Sequence, residues 1–346
     1  KQIASAAPGQ VQPALESMGE QPAGRWLRSA WLNELAKRED WRSFRADYRG
    51  SEDLGLRCAD LRARMELAPA GGDQWTADAK KLWLTDESLP ARCDQPMARL
   101  AESGQLDEAL RWQRIDLAVQ AGEVGPIRAI AQGLGPEAAA LAQSYADYIA
   151  APGDLPPAWL DSARGREVAT VALSRLAKRD PGRARLLLEK LPAPGLDEAQ
   201  RGRVAYQVAL WTVASYLPGS ADRLNAVPPA AYDDRLHEWR VREAISRNDN
   251  AAALAAIGKM GDTQRGDSRW QYFEARLRER FGQSAAARAL YEKAAQSPSF
   301  HGWLAADRLQ QRYHLCPLEP SADAMVVKRV ADDQGLARAF DLFAIE

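Results

Sequence analysis

Cysteine and histidine are scarce, with three of each in 346 residues. His237, His301 and His314 are scattered, no CxxC pair occurs, and no set shows metal-ligand spacing, so neither a metal nor a cofactor is expected. Charge of one sign is lacking too: 46 Lys and Arg against 47 Asp and Glu leave a formal net charge of −1. A nucleic-acid binder needs clustered cations to neutralise phosphates, so none is expected as a partner. No apolar run approaches the roughly 20 residues of a spanning helix, which argues against a transmembrane segment. No charged-then-apolar segment opens the chain, so any export signal is expected to have been removed. Neither a GxSxG elbow, a P-loop nor a Rossmann glycine pattern is present. Sparse β-branched residues, without alternation or an Asn-Gly hairpin signal, exclude a β architecture.

What remains is helical. Ala and Leu recur at helical intervals, and Gly, Pro and Asp break them at short distances, predicting short helices joined by tight turns. A weak repeat runs along the chain, with six turns flanked by such patterns: Arg38–Asp40, Ser103–Gln105, around Gly122, at Asp180, Arg247–Asp249 and Phe281–Gly282. One helical hairpin cannot bury its own apolar face, so neighbours must stack. The fold class expected is all-α, an irregular α-solenoid of short helix-turn-helix units. The unit Trp270–Tyr291, with Tyr272, Ala275, Gly282, Ala286 and Tyr291, comes closest to a tetratricopeptide pattern. Pro-rich breaks at 152–157, 192–195 and 228–229 are too short for flexible linkers. Pro317 to Ala322 marks a boundary, giving a domain over 1–316 and a boundary segment over 317–346.

Eleven tryptophans are many. Trp26, Trp31, Trp41, Trp83, Trp112, Trp211, Trp239 and Trp270 occupy apolar positions of helical patterns, where large rings wedge between stacked helices. Indole also stacks on sugar faces, but the sequence singles out none of the eight for that role. Cys58 and Cys93 read either as free thiols buried as small hydrophobes or as a bridge contributing about 3–4 kcal/mol in the chain-entropy model. Cys316, before Pro317, reads as a structural thiol.

Two segments carry a resemblance. Leu82-Trp83-Leu84-Thr85 on a helix-like pattern, the turn Ser88-Leu89-Pro90, then Cys93-Asp94 form the first. Phe300 to Leu309, followed by Tyr313, Leu315 and Pro317, forms the second. In this order and at this distance they resemble the amino-terminal region of periplasmic soluble lytic transglycosylases, over about Trp26 to Ala339. The resemblance implies a U-shaped α-superhelix, a Cys58–Cys93 disulfide and an oxidising periplasm. It implies peptidoglycan glycan strands as partner, and either a catalytic domain or a partner enzyme positioned against them. In that family a lysozyme-like domain supplies a glutamate that protonates the leaving oxygen, which needs a carboxyl raised by an apolar cleft. Its Glu-Ser is followed by Gly-Leu-Met-Gln. Here Glu16-Ser17, Glu87-Ser88 and Glu102-Ser103 lack that sequel, so no catalytic residue is assigned and the 346-residue chain is expected to be inactive alone. The rival expectation is a tetratricopeptide-like protein-interaction scaffold.

Overall fold

The computed structural model describes residues 3, 6–68, 72–192, 195–315 and 319–344. Among them are 21 α-helices, a few 3-10 turns and no strand. The chain divides into two compact units, residues 1–212 with 226–231 and residues 213–225 with 232–346.

The first unit contains α1 (Pro8–Met18), α2 (Pro22–Lys37), α3 (Trp41–Asp47), α4 (Leu54–Leu67), α5 (Asp73–Trp83) and α6 (Asp94–Glu102). It continues through α7 (Glu108–Ala121), α8 (Val124–Ala131), α9 (Pro136–Ala150), α10 (Ala163–Arg179), α11 (Pro181–Lys190) and α12 (Glu198–Ala214). In the second unit follow α13 (Ser220–Asn225), α14 (Asp234–Ser246), α15 (Asn250–Ile257), α16 (Asp262–Arg265) and α17 (Ser268–Arg280). Then come α18 (Ser284–Ala294), α19 (Phe300–Leu309), α20 (Ala324–Ala331) and α21 (Gln334–Phe343).

All six expected turns lie between two helices. Aspartates make the breaks sharp. Asp40, Asp107, Asp180, Asp233 and Asp249 each accept a hydrogen bond from a backbone N–H of the helix they precede. Such a cap contributes about 0.5–2 kcal/mol and stops the preceding helix from running through. Pro22, Pro136 and Pro181 open α2, α9 and α11, where a missing N–H costs nothing. Between α6 and α7 the connection is longer than the pattern suggested, running from Ser103 to Asp107.

Packing is local, as stacked hairpins require. The first unit holds separate clusters: one around Trp31, Leu35, Phe44 and Leu56, a larger one from Cys58 to Ala172, and a third around Leu173 and Val204. In the second unit Val241, Ile257 and Trp270 form one cluster and Tyr272, Tyr291 and Ala305 another. Small residues make this approach possible. Five of the eight residues of Asn250–Ile257 are Ala and this helix packs on α14, while the Ala-rich α18 packs on α17. The all-α reading holds, and each unit is built of helices packed on their neighbours.

Two details differ from expectation. Trp26 is 69% exposed rather than wedged between helices. It sits on the outer face of α2, while Trp31, Leu32 and Leu35 take the buried one. Helix α5 stops at Trp83, so Leu84 and Thr85 lie beyond it. The expected boundary at Pro317, and Cys316 with it, falls outside the described residues.

Candidate functional site

Cys58 on α4 and Cys93 in the 3-10 turn before α6 form a disulfide with Cα atoms 4.9 Å apart. Both are fully buried. The loop between α5 and Cys93 is tied down a second time. Arg114 of α7 donates to the carbonyls of Thr85 (3.3 Å) and Glu87 (2.9 Å), with its guanidinium 4.3 Å from the Trp83 ring centroid. Burial lowers its pKa to about 10. The first family-like segment is thus a stapled and strapped loop. Glu87 enters this strap through its backbone carbonyl, not its side chain.

The second segment is structural as well. Trp303 stacks near Tyr313, with centroids 6.1 Å apart, and its Nε1 donates to the His314 carbonyl at 3.3 Å. Tyr313 donates its hydroxyl to Asp307 at 2.8 Å, so the chain after α19 folds back on that helix. His301 packs beside Tyr272 and Phe273. Burial, then Arg269, lowers its pKa.

A concave surface of the first unit lies elsewhere. A cleft of about 620 Å³ runs between α10 and α12, with Gln120 and Ala121 at its edge. Helix α10 buries Val168, Ala169, Ala172, Leu173, Leu176 and Ala177. That periodicity turns Ser174 and Lys178 to the other face, four residues apart. On α12 the buried residues include Val204, Val208, Ala209, Leu210, Thr212 and Val213, leaving Arg203, Gln207 and Trp211 in a row at the same spacing. Two helical stripes, joined by Tyr206 and Thr170, therefore face one cleft.

Its groups are held in place. Trp211 donates Nε1 to Gln207 Oε1 at 3.1 Å, and Lys178 Nζ lies 5.5 Å from the ring centroid. Arg203 grips Glu167 with two hydrogen bonds, 2.9 and 2.5 Å, and these raise its pKa against the opposing effect of burial. Arg175 donates to the Ala121 carbonyl at 3.2 Å and lies across the turn at Gly122. A β-carbon on Gly122 would stand 2.4 Å from Arg175 Cδ, and the backbone there has φ +72°, so only glycine suits it. Lining the cleft are Arg175, Lys178 and Arg203 but no carboxylate. Chemically this is a surface for a polar, uncharged or anionic chain that offers a flat apolar face to indole.

The second unit has an aromatic cleft of its own, about 560 Å³, with Tyr216, Trp239, Arg242 and Glu243 among its walls. Tyr216 is 83% exposed and held at φ +54°. Among the described residues no group of His, Cys, Asp and Glu could hold a metal ion, and no helix is long and apolar enough to cross a membrane.

Sequence reasoning put Trp211 and Trp239 among the core rings, whereas both are half-exposed at cleft walls. It singled out none of Lys178, Arg203, Tyr206 or Gln207. A signal was present: polar and aromatic residues at four-residue spacing on an otherwise apolar helix.

Comparison with known proteins completes the description. No protein-family model matches the chain. The soluble lytic murein transglycosylase of Escherichia coli strain K12 is 28% identical over 306 residues, covering 85% of this chain and 46% of the relative. Its counterpart from Salmonella typhimurium is 27% identical over 311 residues, with the same coverage. The chain thus spans about half the length of the curated relatives it matches. Among solved structures, the 70-kDa soluble lytic transglycosylase in complex with bulgecin A superposes with a TM-score of 0.77. That match is 23% identical and covers 99% of this chain and 56% of the other. An inactive mutant of lytic transglycosylase Slt from Pseudomonas aeruginosa gives 0.67 at 28% identity, with the same shares. The resemblance read from the two segments holds: the chain is homologous to soluble lytic murein transglycosylases over most of its length.

Proposed function

We propose that this chain takes part in peptidoglycan processing by holding glycan strands against a catalytic domain, and that the α10–α12 cleft is where a strand lies. One observation carries the reading: Trp211 and Lys178 line a cleft that has three cations, two glutamines and no acid. A murein strand alternates flat sugar faces with N-acetyl amides, and its lactyl-peptide branches bring carboxylates. Indole suits the first, Gln120 and Gln207 the second, Arg175 and Lys178 the third. Homology to murein transglycosylases supports the substrate class. A disulfide at Cys58–Cys93 is at home in an oxidising periplasm and supports that location.

The segment 317–346 fits a boundary leading towards a linker domain. Neither α20 nor α21 buries a single residue, and Phe340 and Phe343 stand exposed on the second. Apolar faces of this kind suit packing against further chain.

The test is co-sedimentation with purified sacculi. The 346-residue chain is expected to be retained, and Trp211→Ala or Lys178→Glu to weaken retention about tenfold, which is about 1.4 kcal/mol. Retention of both variants at the unaltered level, or no retention of the parent chain, would sink the proposal.

A scaffold of tetratricopeptide type is the second reading. The packing of Tyr272 and Ala275 of α17 against Tyr291 of α18 favours it. A protein captured with no affinity for sacculi would select it.

A further inference from the structure

In the second unit the turn Arg247–Asp249 between α14 and α15 stands over α17, enclosing a small pocket of about 190 Å³. Ile245 and Phe273 supply apolar wall, and Asn248, Asn250, Arg276 and Arg280 supply the polar one. No carboxylate lines it.

The two cations are incompletely compensated. Arg280 Nη1 reaches only the amide oxygen of Asn250, at a long 3.3 Å. Arg276 donates to the Tyr272 hydroxyl at 3.1 Å, and its Nε lies 4.0 Å from Glu279. Glu279 is itself shared, accepting from the Tyr291 hydroxyl at 3.1 Å and lying 3.5 Å from Arg308. Asp249 faces another way: it caps α15 and meets Arg247. Asn248, which lines the pocket, is held at φ +57°, a conformation asparagine tolerates better than most residues.

A guanidinium pair with two carboxamides recognises a carboxylate attached to a peptide: the guanidinium N–H groups take the oxygens and the amides take the adjoining peptide unit. Ile245 and Phe273 give the pocket an apolar wall against which a methyl side chain can pack. We infer that this pocket binds the free terminal carboxylate of a peptide ending in a small aliphatic residue, and that the peptide is a cell-wall stem ending in D-alanine. The inference rests on the peptidoglycan reading for the origin of the peptide, and on the pocket alone for the carboxylate.

The experiment is an NMR titration of the whole chain with N-acetyl-D-alanyl-D-alanine, its C-terminal amide and its L,L epimer. The D,D acid is expected to shift the side-chain signals of Asn248 and Asn250, and the amide to leave them unmoved. Arg280→Gln is expected to weaken the D,D acid about tenfold, as loss of a charge-assisted contact does. Asn250→Asp, which keeps a good first-turn residue on α15 and sets a carboxylate against the ligand, is expected to weaken it at least as much. Asn248→Gly suits the left-handed backbone and so guards against a folding artefact; it should lose affinity without losing thermal stability. Equal shifts with acid and amide, or none with either, overturn the proposal. Binding of the L,L acid alone overturns the cell-wall origin in favour of a protein C terminus. Sacculus retention by the α10–α12 cleft is read separately, so failure of one does not mimic failure of the other.

Discussion

The two units are built from the same helical hairpin but are secured by different chemistry. The first has no histidine, one covalent staple, and a buried Arg114 strapping the loop beside it. All three histidines belong to the second, and its most buried charged group, Glu274 of α17, is 2% exposed. Arg265 meets that carboxylate with two hydrogen bonds, 3.0 and 2.8 Å, and Arg278 adds 2.8 and 2.7 Å. A disulfide acts largely on the unfolded chain and is indifferent to mild acid, whereas a carboxylate held by guanidinium groups works only while ionised. The first unit should therefore answer to redox conditions, and Glu274 should tie the second to pH.

The sharpest way to break this contrast is to remove the staple. Replacing Cys58 and Cys93 by Ser should cost the first unit about 3–4 kcal/mol. Amide exchange on α4 to α7 should rise while α14 to α19 stay protected; a uniform rise would show that the units are not separately secured. A smaller loss is expected from Glu274→Ala. Stranding two arginines that keep some contact with water should cost about 2–3 kcal/mol, at the low end for a buried pair. Urea unfolding followed through Trp270, which lies on the same helix, reads that loss.

The smallest effect is the acid response. Burial alone would raise the Glu274 carboxyl, but the hydrogen bonds from Arg265 and Arg278 outweigh it and hold the group below its ordinary 4.5. Burial, followed by Arg240, lowers His237, and burial followed by Arg269 lowers His301, both from 6.5. In each case the unfolded chain binds the proton first, so stability falls as pH falls. His237 and His301 should erode the second unit below about pH 6.5, and Glu274 below about 4.5. Thermal melts that lose the first unit earlier in acid would reverse the comparison.

How legible was this in the sequence? Turn positions were, because residues such as Asp40, Asp180 and Asp249 act within one helical turn of themselves. The cleft was not. Trp211 and Trp31 occupy equivalent places in their local patterns, yet Trp31 is fully buried and donates to Asp47 at 2.9 Å. Trp211 instead stands beside Lys178, 33 positions away along the chain but brought close by the pairing of α10 with α12. Trp26 makes the same point in reverse: its neighbours in sequence are those of a core residue, yet it is left largely exposed.

By itself, then, the sequence determined the class of structure and the places of the six turns between helices, since propensity, capping and turn chemistry are local interactions. Even the kinship with murein transglycosylases was readable, from two short runs that stabilise a loop and a helix end. Tertiary structure alone decided which aromatic rings face solvent, which arginines find an acid, and which amides gather around an unpaired guanidinium. Those outcomes depend on how one hairpin leans on the next. That contact joins residues dozens of positions apart, and no periodicity along the chain encodes it.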